Sequence, residues 1–237
     1  MNSQYMSRTS CGEETWEEIG NMFHQIKSGL KHILKLIRFD VLFYYLRSRV
    51  YINKIAVPVV KDLSTLSPVK DSLEQAGVEL VEITSESLSM NSTTGQRLIY
   101  SDDQRMKTAI DYLEKGYRGV ALVSGDEVSG DIWYVSPGNH GSNALHPDLK
   151  WLRLECRDSD VYAFDMYLYP GKRGKNLGNM LQNGALHEIR KHGYARVFGY
   201  YWAENIPALW VHRTLHWQEL QKLKVSRFLG LQYSQGC

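Results

Sequence analysis

The sequence predicts a mixed α/β domain with a helical extension in front of it. Three observations predict this. From residue 51 to 135, runs of alternating apolar residues take turns with capped helical stretches. Residues 161–169, VYAFDMYLY, are largely apolar on both faces, the composition of an interior strand. That strand leads through the turn GKRGKNLG into a helix-like stretch, and a second aromatic strand follows at 195–202.

The 237 residues form either one large domain or a domain plus an extension, and a 43% hydrophobic content is enough for a sizeable core. A net charge of +2 excludes a globally basic nucleic-acid binder. Cys11, Cys156 and Cys237 are far apart, with neither metal-ligand spacing nor a disulfide framework, which fits a reducing cytosol. The polar first fifteen residues lack the apolar core of a secretory signal, and no run of about twenty apolar residues is present. A cytoplasmic protein is expected.

The first element is a helix. Trp16, Ile19, Phe23, Ile26, Leu30, Ile33 and Ile37 recur at steps of three and four, a single apolar stripe. Lys27, Lys31 and Lys35 fall on another face, and residues 27–54 are strongly basic. The stripe packs on its own domain or on a dimer partner; alternatively the basic segment meets an anionic membrane surface or an acyl carrier protein. Residues 1–50 are therefore read as an N-terminal helical extension and 51–237 as the folded domain.

Within that domain, INKIAVPVV reads as an edge strand because it bears Pro58. SPVKDSLEQAG reads as a short helix capped by Ser67, begun at Pro68 and stopped by Gly77, and VELVEIT as a strand. Ser85 to Gly95 is small and polar, a loop. Ser101 or Asp102 caps a helix through Lys115 that ends at Gly116, and GVALVSG and GDIWYVS are strands around a turn. Residues 136–148, with His140 and His146, are rich in turn formers and are read as an acceptor-side loop, since no partners at metal-ligand spacing accompany the histidines.

In the strand at 161–169, alternation sends Tyr162, Phe164, Met166 and Leu168 to one side and Val161, Ala163, Asp165, Tyr167 and Tyr169 to the other. Pro170 ends pairing, Gly171 and Gly174 permit close backbone approach, and Asn176, Leu177 and Gly178 open a helix to about His192. Lys172, Arg173 and Lys175 add positive charge to the free amides of the helix start, a combination that favours a pyrophosphate. An ordinary basic strand-to-helix loop is the alternative.

YLYPGKRGKNLG and the later GYARVFGYYWAENIPALWVHRTLHW resemble the GNAT superfamily of acyl-CoA N-acyltransferases. The family's pyrophosphate motif, (Arg/Gln)-x-x-Gly-x-(Gly/Ala), matches Arg173 and Gly178, and this chain departs from it at Asn176. Further on, the family's Asn, Ala, Tyr and closing Gly-Phe fall on Asn205, Ala208, His212 and His216-Trp217. The last two are departures. The resemblance covers residues 117–237, extends to 50–116 only as a compatible order of elements, and touches nothing before Val50.

It implies a mixed, mostly antiparallel sheet flanked by helices and split between the strands at 161–169 and 195–202. A pantetheine arm would pair with the backbone of Tyr167, Leu168 and Tyr169, and the amides of Arg173, Gly174, Lys175, Asn176, Leu177 and Gly178 would hold the pyrophosphate. Asn205 and Ala208 would flank the thioester. The co-substrate implied is acetyl-CoA or another acyl-CoA, and the acceptor an amine of unknown identity. His212 stands where many members carry the Tyr that protonates the thiolate; it is read as acid, as base, or as a packing residue. Asp165 and Glu204 are the candidate bases, with a hydrogen-bonded structural role the alternative for Asp165. Three functions stay open: a short-chain N-acyltransferase, a long-chain transferase served by acyl carrier protein, and a non-catalytic acyl-CoA-binding module.

Overall fold

The computed structural model describes residues 51–66, 70–89, 97–137, 146–228 and 231–236. The chain divides into two compact units, Met1–Ile52 with Phe228–Gly230, and Asn53–Arg227 with Leu231–Cys237. The helix expected near residues 16–37, most of the basic segment, the Ser67 cap and His140 lie outside the described residues.

The folded domain is built on strands β1 (Tyr51–Asp62), β2 (Glu79–Ile83), β3 (Arg118–Ser124), β4 (Glu127–Val135), β5 (Asp160–Leu168), β6 (Arg196–Trp202), β7 (Gln218–Glu219), β8 (Leu223–Phe228) and β9 (Leu231–Gly236). Its helices are α1 (Lys70–Ala76), α2 (Ser85–Leu88), α3 (Asp103–Glu114), α4 (Pro147–Leu152), α5 (Leu177–Lys191) and α6 (Ile206–Thr214). The sheet runs β2-β3-β4-β5-β6-β1-β8-β9, with β7 also on β1. β2 to β5 are an antiparallel meander and β1 pairs antiparallel with β6. β5 and β6 are parallel, because the connection between them is a crossover through α5.

Each face of the sheet buries apolar side chains against helices. On one face Leu181, Ala185, Leu186 and Ile189 of α5 meet Val57, Val120, Leu122, Val161 and Val197. On the other, α2 and α3 cover Ala121, Val123 and Trp133, while α4 covers Tyr162, Phe198 and Val225. The helix signals act as read: Asp102 Oδ1 accepts from the amides of Gln104 at 2.7 Å and Arg105 at 3.3 Å, and Gly77 and Gly116 stop α1 and the α3 region at φ values of 65° and 77°.

Three expectations are corrected. Pro58 is not on an edge strand, since β1 pairs with β6 on one side and with β7 and β8 on the other. Ala203 N–H donates to Ile55 O, so alternate residues Ile55, Val57 and Val59 bond to β6 and Pro58 turns its missing N–H away from it. On that side β7 supplies only two pairs, and the Pro58 carbonyl takes the Leu220 N–H at 2.8 Å. Second, Ser85–Leu88 is helical rather than loop, because Thr84 and Ser87 form a reciprocal capping box.

The third correction concerns β5. Phe164 pairs with Trp133 and Tyr167 with Asp131, so β5 spends three steps where β4 spends two. The extra residue is a bulge, with Asp165 at φ 47°. Beyond it the side-chain order inverts: Met166 and Leu168 share the α5 face with Val161 and Ala163, opposite to Tyr162 and Phe164.

Candidate functional site

The parallel register of β5 and β6 lasts only from Asp160, Val161 and Tyr162 to their partners Arg196, Val197 and Phe198. A clamp fixes this closed end. Asp160, buried, accepts Arg196 Nε at 2.9 Å, Arg196 NH2 at 2.8 Å and the Arg157 amide at 2.8 Å. Burial pushes its carboxyl up, yet the Arg196 and Arg157 donors outweigh burial and hold it below the ordinary carboxylate value.

Past the clamp the strands part around a cleft of about 860 Å³. One wall is β5 from Ala163 to Leu168, the other is β6 from Gly199 to Trp202. Gly178, Asn179 and Gln182 of α5, Ala208, Val211 and His212 of α6, and Trp217 close it on one side, and Arg173, Gly174 and Asn176 stand at its end. The bulge helps to open the split. Arg105 of α3, bonded to the buried Asp131 carboxylate, donates through NH1 to Asp165 Oδ2 at 2.7 Å and through NH2 to Asp165 O at 3.1 Å, while Tyr112 OH donates to Asp165 Oδ2 at 3.0 Å. These contacts pin the inserted residue.

The turn after β5 is unusual. Gly174, Lys175 and Asn176 have φ values of 92°, 48° and 62° in succession. Among the described residues, the amides of Gly174, Lys175, Asn176 and Gly178 donate to no acceptor. Consecutive free amides at a helix start form a concave anion cradle. Asn176, where the motif departs, tolerates the left-handed conformation better than most residues, and its Oδ1 accepts from Asn179 Nδ2. Of the cations there, Lys172 is ion-paired with Glu127 at 2.8 Å, and Arg173 Nε donates to Leu168 O at 3.2 Å.

The backbone of β5 offers less than three consecutive residues. Tyr169 N–H donates to Ser129 O at 3.1 Å, and Tyr167 follows in the same alternation toward β4. Leu168, between them, is the one of the three whose backbone faces the cleft. Leu177 N–H is likewise spent within the turn, on Gly174 O at 3.1 Å, and Arg173 N–H on Pro170 O at 3.3 Å.

Asn205 caps α6, its Oδ1 accepting the Ala208 amide at 3.2 Å. One turn on, His212 is half-buried between the rings of Tyr201 and Trp217, at centroid distances of 5.1 Å and 5.0 Å. Its Nδ1 lies 2.7 Å from Ala208 O and its Nε2 3.2 Å from Gln182 Nε2. Burial lowers its pKa below the ordinary histidine value, more than the Ala208 carbonyl and Glu219 raise it. His216, at φ 55°, follows the end of α6.

The structure therefore brings Asp165, Tyr167, Leu168, Arg173, Gly174, Asn176, Gly178, Asn205, Ala208 and His212 to one cleft. Glu204 is elsewhere: it is half-exposed, outside the cleft wall, and ion-paired with Lys54 at 2.5 Å, which holds its carboxyl below the usual value. Sequence reasoning missed Asn179, Gln182, Arg105 and Tyr112. The signal for the first two is a pair of amides three residues apart on a helix face whose neighbours are Leu181 and Ala185. Arg105 and Tyr112 carry no local signal, because their partners are 26 and 53 residues away.

No protein-family model matches the sequence, and no curated protein matches it. Solved structures do. The GCN5-related glucosamine N-acetyltransferase region of a fungal multi-domain GH3 β-N-acetylglucosaminidase is similar at TM-score 0.53 and 13% identity, over 83% of this chain and 22% of that one. A tandem GNAT protein from the clavulanic acid biosynthesis pathway gives 0.45 and 12%, over 78% of this chain and 54% of that one. A GCN5-related N-acetyltransferase from Kribbella flavida gives 0.43 and 10%, over 80% of this chain and 64% of that one. The chain thus spans less than two thirds of these proteins. It has the GNAT fold of the first of these, a mixed α/β architecture with a mostly antiparallel open sheet flanked by helices. Among the described residues, no helix is long and apolar enough to cross a membrane.

Proposed function

We propose that the protein is an N-acyltransferase that moves a short acyl group, acetyl in the first instance, from coenzyme A to a primary amine of a small molecule or protein. One observation carries this reading: the split between β5 and β6 ends at a turn with successive free amides, so a thioester lying in the split has its pyrophosphate end matched. The amides of Gly174, Lys175, Asn176 and Gly178 suit the diphosphate, and Leu168 suits the pantetheine arm. The amine nitrogen attacks the thioester carbonyl carbon, the C–S bond breaks, an amide forms, and the thiolate takes a proton. Holding both reactants in one cleft supplies much of the rate, and the amine must be neutral when it attacks.

His212 enters the reaction as a proton acceptor. A carbonyl oxygen cannot donate, so Nδ1 carries the ring proton toward Ala208 O, and Nε2 holds the lone pair. Asp165, in the cleft wall at the bulge with its Oδ2 already accepting from Arg105 and Tyr112, is the second candidate acceptor for the amine proton, directly or through water. The engagement of both His212 ring nitrogens favours a second reading, a module that binds acyl-CoA without turning it over.

The two readings separate in one experiment. Acetyl-CoA should raise the melting temperature of the pure protein, and thiol release should follow on adding an amine from a panel of amino acids, amino sugars and polyamines. Binding without thiol release favours the module, and absence of any shift with short acyl-CoAs overturns both. Acyl carrier protein as donor, a membrane or homodimer role for the basic segment, and a cytoplasmic setting remain part of the proposal and are tested by the same assay with acylated carrier protein, by vesicle binding, by sedimentation and by imaging a tagged chain.

A further inference from the structure

At the back of the cleft Gln182 of α5 is 4% exposed, lines the cavity and leaves its Oε1 without a hydrogen-bond partner. A buried acceptor without a donor is destabilising, so it calls for a second arrangement in which it is satisfied. The neighbour supplies one. Nδ1 of His212 donates to Ala208 O at 2.7 Å, so the neutral ring presents a lone pair at Nε2, and Gln182 Nε2, 3.2 Å away, donates to it. Once Nε2 takes up a proton it becomes a donor and cannot face an NH2 group. Half a turn of the Gln182 amide then brings Oε1 to Nε2–H, and the orphaned atom gains its partner.

We propose that Gln182 is the positioning residue of the acyl-transfer site, donating to the Nε2 lone pair of the neutral His212 ring and rotating its amide to hold the proton that His212 accepts during transfer. This rests on the N-acyltransferase reading. The pair has two arrangements, neutral ring with NH2 inward and imidazolium with oxygen inward, and a proton at Nε2 selects between them. No atom is gained beyond that proton, which the amine nitrogen gives up once it has added to the thioester carbonyl and which passes on to the departing thiolate. The rest of the surroundings are fixed. Tyr201 of β6 stacks on the ring and donates to Glu219 Oε1 of β7 at 2.8 Å, Trp217 closes the other side, and Arg213 of α6 balances Glu219 at 3.6 Å. Among these groups Glu219 favours the protonated ring, from behind Tyr201. Burial disfavours it, which leaves the proton with His212 only transiently near neutral pH.

The test is the tautomer and titration of His212 by long-range 15N–1H correlation spectra of the free protein, its signals assigned by their loss in His212→Phe. The expected wild-type result is a neutral ring protonated at Nδ1, titrating below the usual histidine value of about 6.5. In Gln182→Glu the carboxylate accepts from Nε2–H in place of the amide, and the midpoint should rise by about one pH unit, a tenfold gain in proton affinity. In Gln182→Leu the imidazolium loses its acceptor and the midpoint should fall, while Nδ1 stays protonated through Ala208. A wild-type ring protonated at Nε2 overturns the proposal, as does a Gln182→Leu midpoint equal to that of the wild type; the wild-type spectrum decides even if a variant does not fold. With an active amine acceptor, the acidic limb of the kcat profile should move with each midpoint, and an unmoved limb reduces Gln182 to a packing residue. Spectra as expected in a protein that binds no acyl-CoA would sink the functional reading and leave the His212–Gln182 pair standing.

Discussion

Gly178 stands where the anion cradle meets the cleft, and its replacement tests both together. A Cβ on Gly178 would lie 3.4 Å from Val211 Cγ2, 3.6 Å from Leu168 Cδ1 and 3.7 Å from Met166 Cε, which is ordinary contact. Alanine therefore fits, and at a helical position it should hold or raise the melting temperature of the free protein, glycine costing up to about 1 kcal/mol there. Any longer side chain must enter the space between α5, β5 and α6, the path assigned to the donor. A ligand at a hundred times its Kd stabilises by about 2.7 kcal/mol. For a chain of 237 residues that is a rise of roughly 5–10 °C. Scanning fluorimetry with and without acetyl-CoA should show this rise in the wild type and none in Gly178→Leu, whose free protein should melt close to the wild type. A full shift in Gly178→Leu refutes the assigned path.

Asn176 at φ 62° predicts a contrast measurable by urea denaturation: Asn176→Gly costs a few tenths of a kcal/mol at most, whereas Asn176→Val costs about 1–2 kcal/mol and weakens acyl-CoA binding by distorting the cradle. Asp160→Ala should cost about 2–3 kcal/mol, less than a fully buried pair because Arg196 is 37% exposed. The Asp160 carboxyl is held below its unfolded value, so its contribution is complete above about pH 4 and disappears as pH falls through the folded value; Asp160→Asn should flatten that acid limb of stability. A Cβ on Gly184 of α5 would overlap Leu80 Cδ1 of β2, so Gly184→Ala should lose about 1–3 kcal/mol, and Leu80→Ala in the same chain should recover part of it.

Most of the architecture follows from local pattern. Alternation and caps place β2, β3, β4, α3, α5 and β6, because each is governed by residues within one or two turns of itself. What escaped is what depends on distant partners. The Asp165 bulge shifts the face of Met166 and Leu168, and its cause is an arginine 60 residues earlier in the chain. Pro58 belongs to an interior strand because the side it leaves unbonded meets a two-residue strand from the far end of the sequence. The C-terminal strands β7 to β9 carried only a faint signal, the alternation of Leu223 and Val225. At the site, the cradle and α6 cap were legible as motif positions, while the setting of His212 required Gln182, 30 residues away.

The position of β1 has a consequence for how the chain acquires its shape. Ala56 pairs with Trp202, a separation no local collapse can bridge, whereas β2 to β5 join neighbours in sequence. Long-range pairing is slow because loop closure precedes its reward. The meander should therefore form early during synthesis, and the first strand of the sheet should wait, unpaired and apolar, until Trp202 has left the ribosome. Refolding should show a fast phase read by Trp133 and a slower one read by Trp202 and Trp217, and chaperone dependence should track the second.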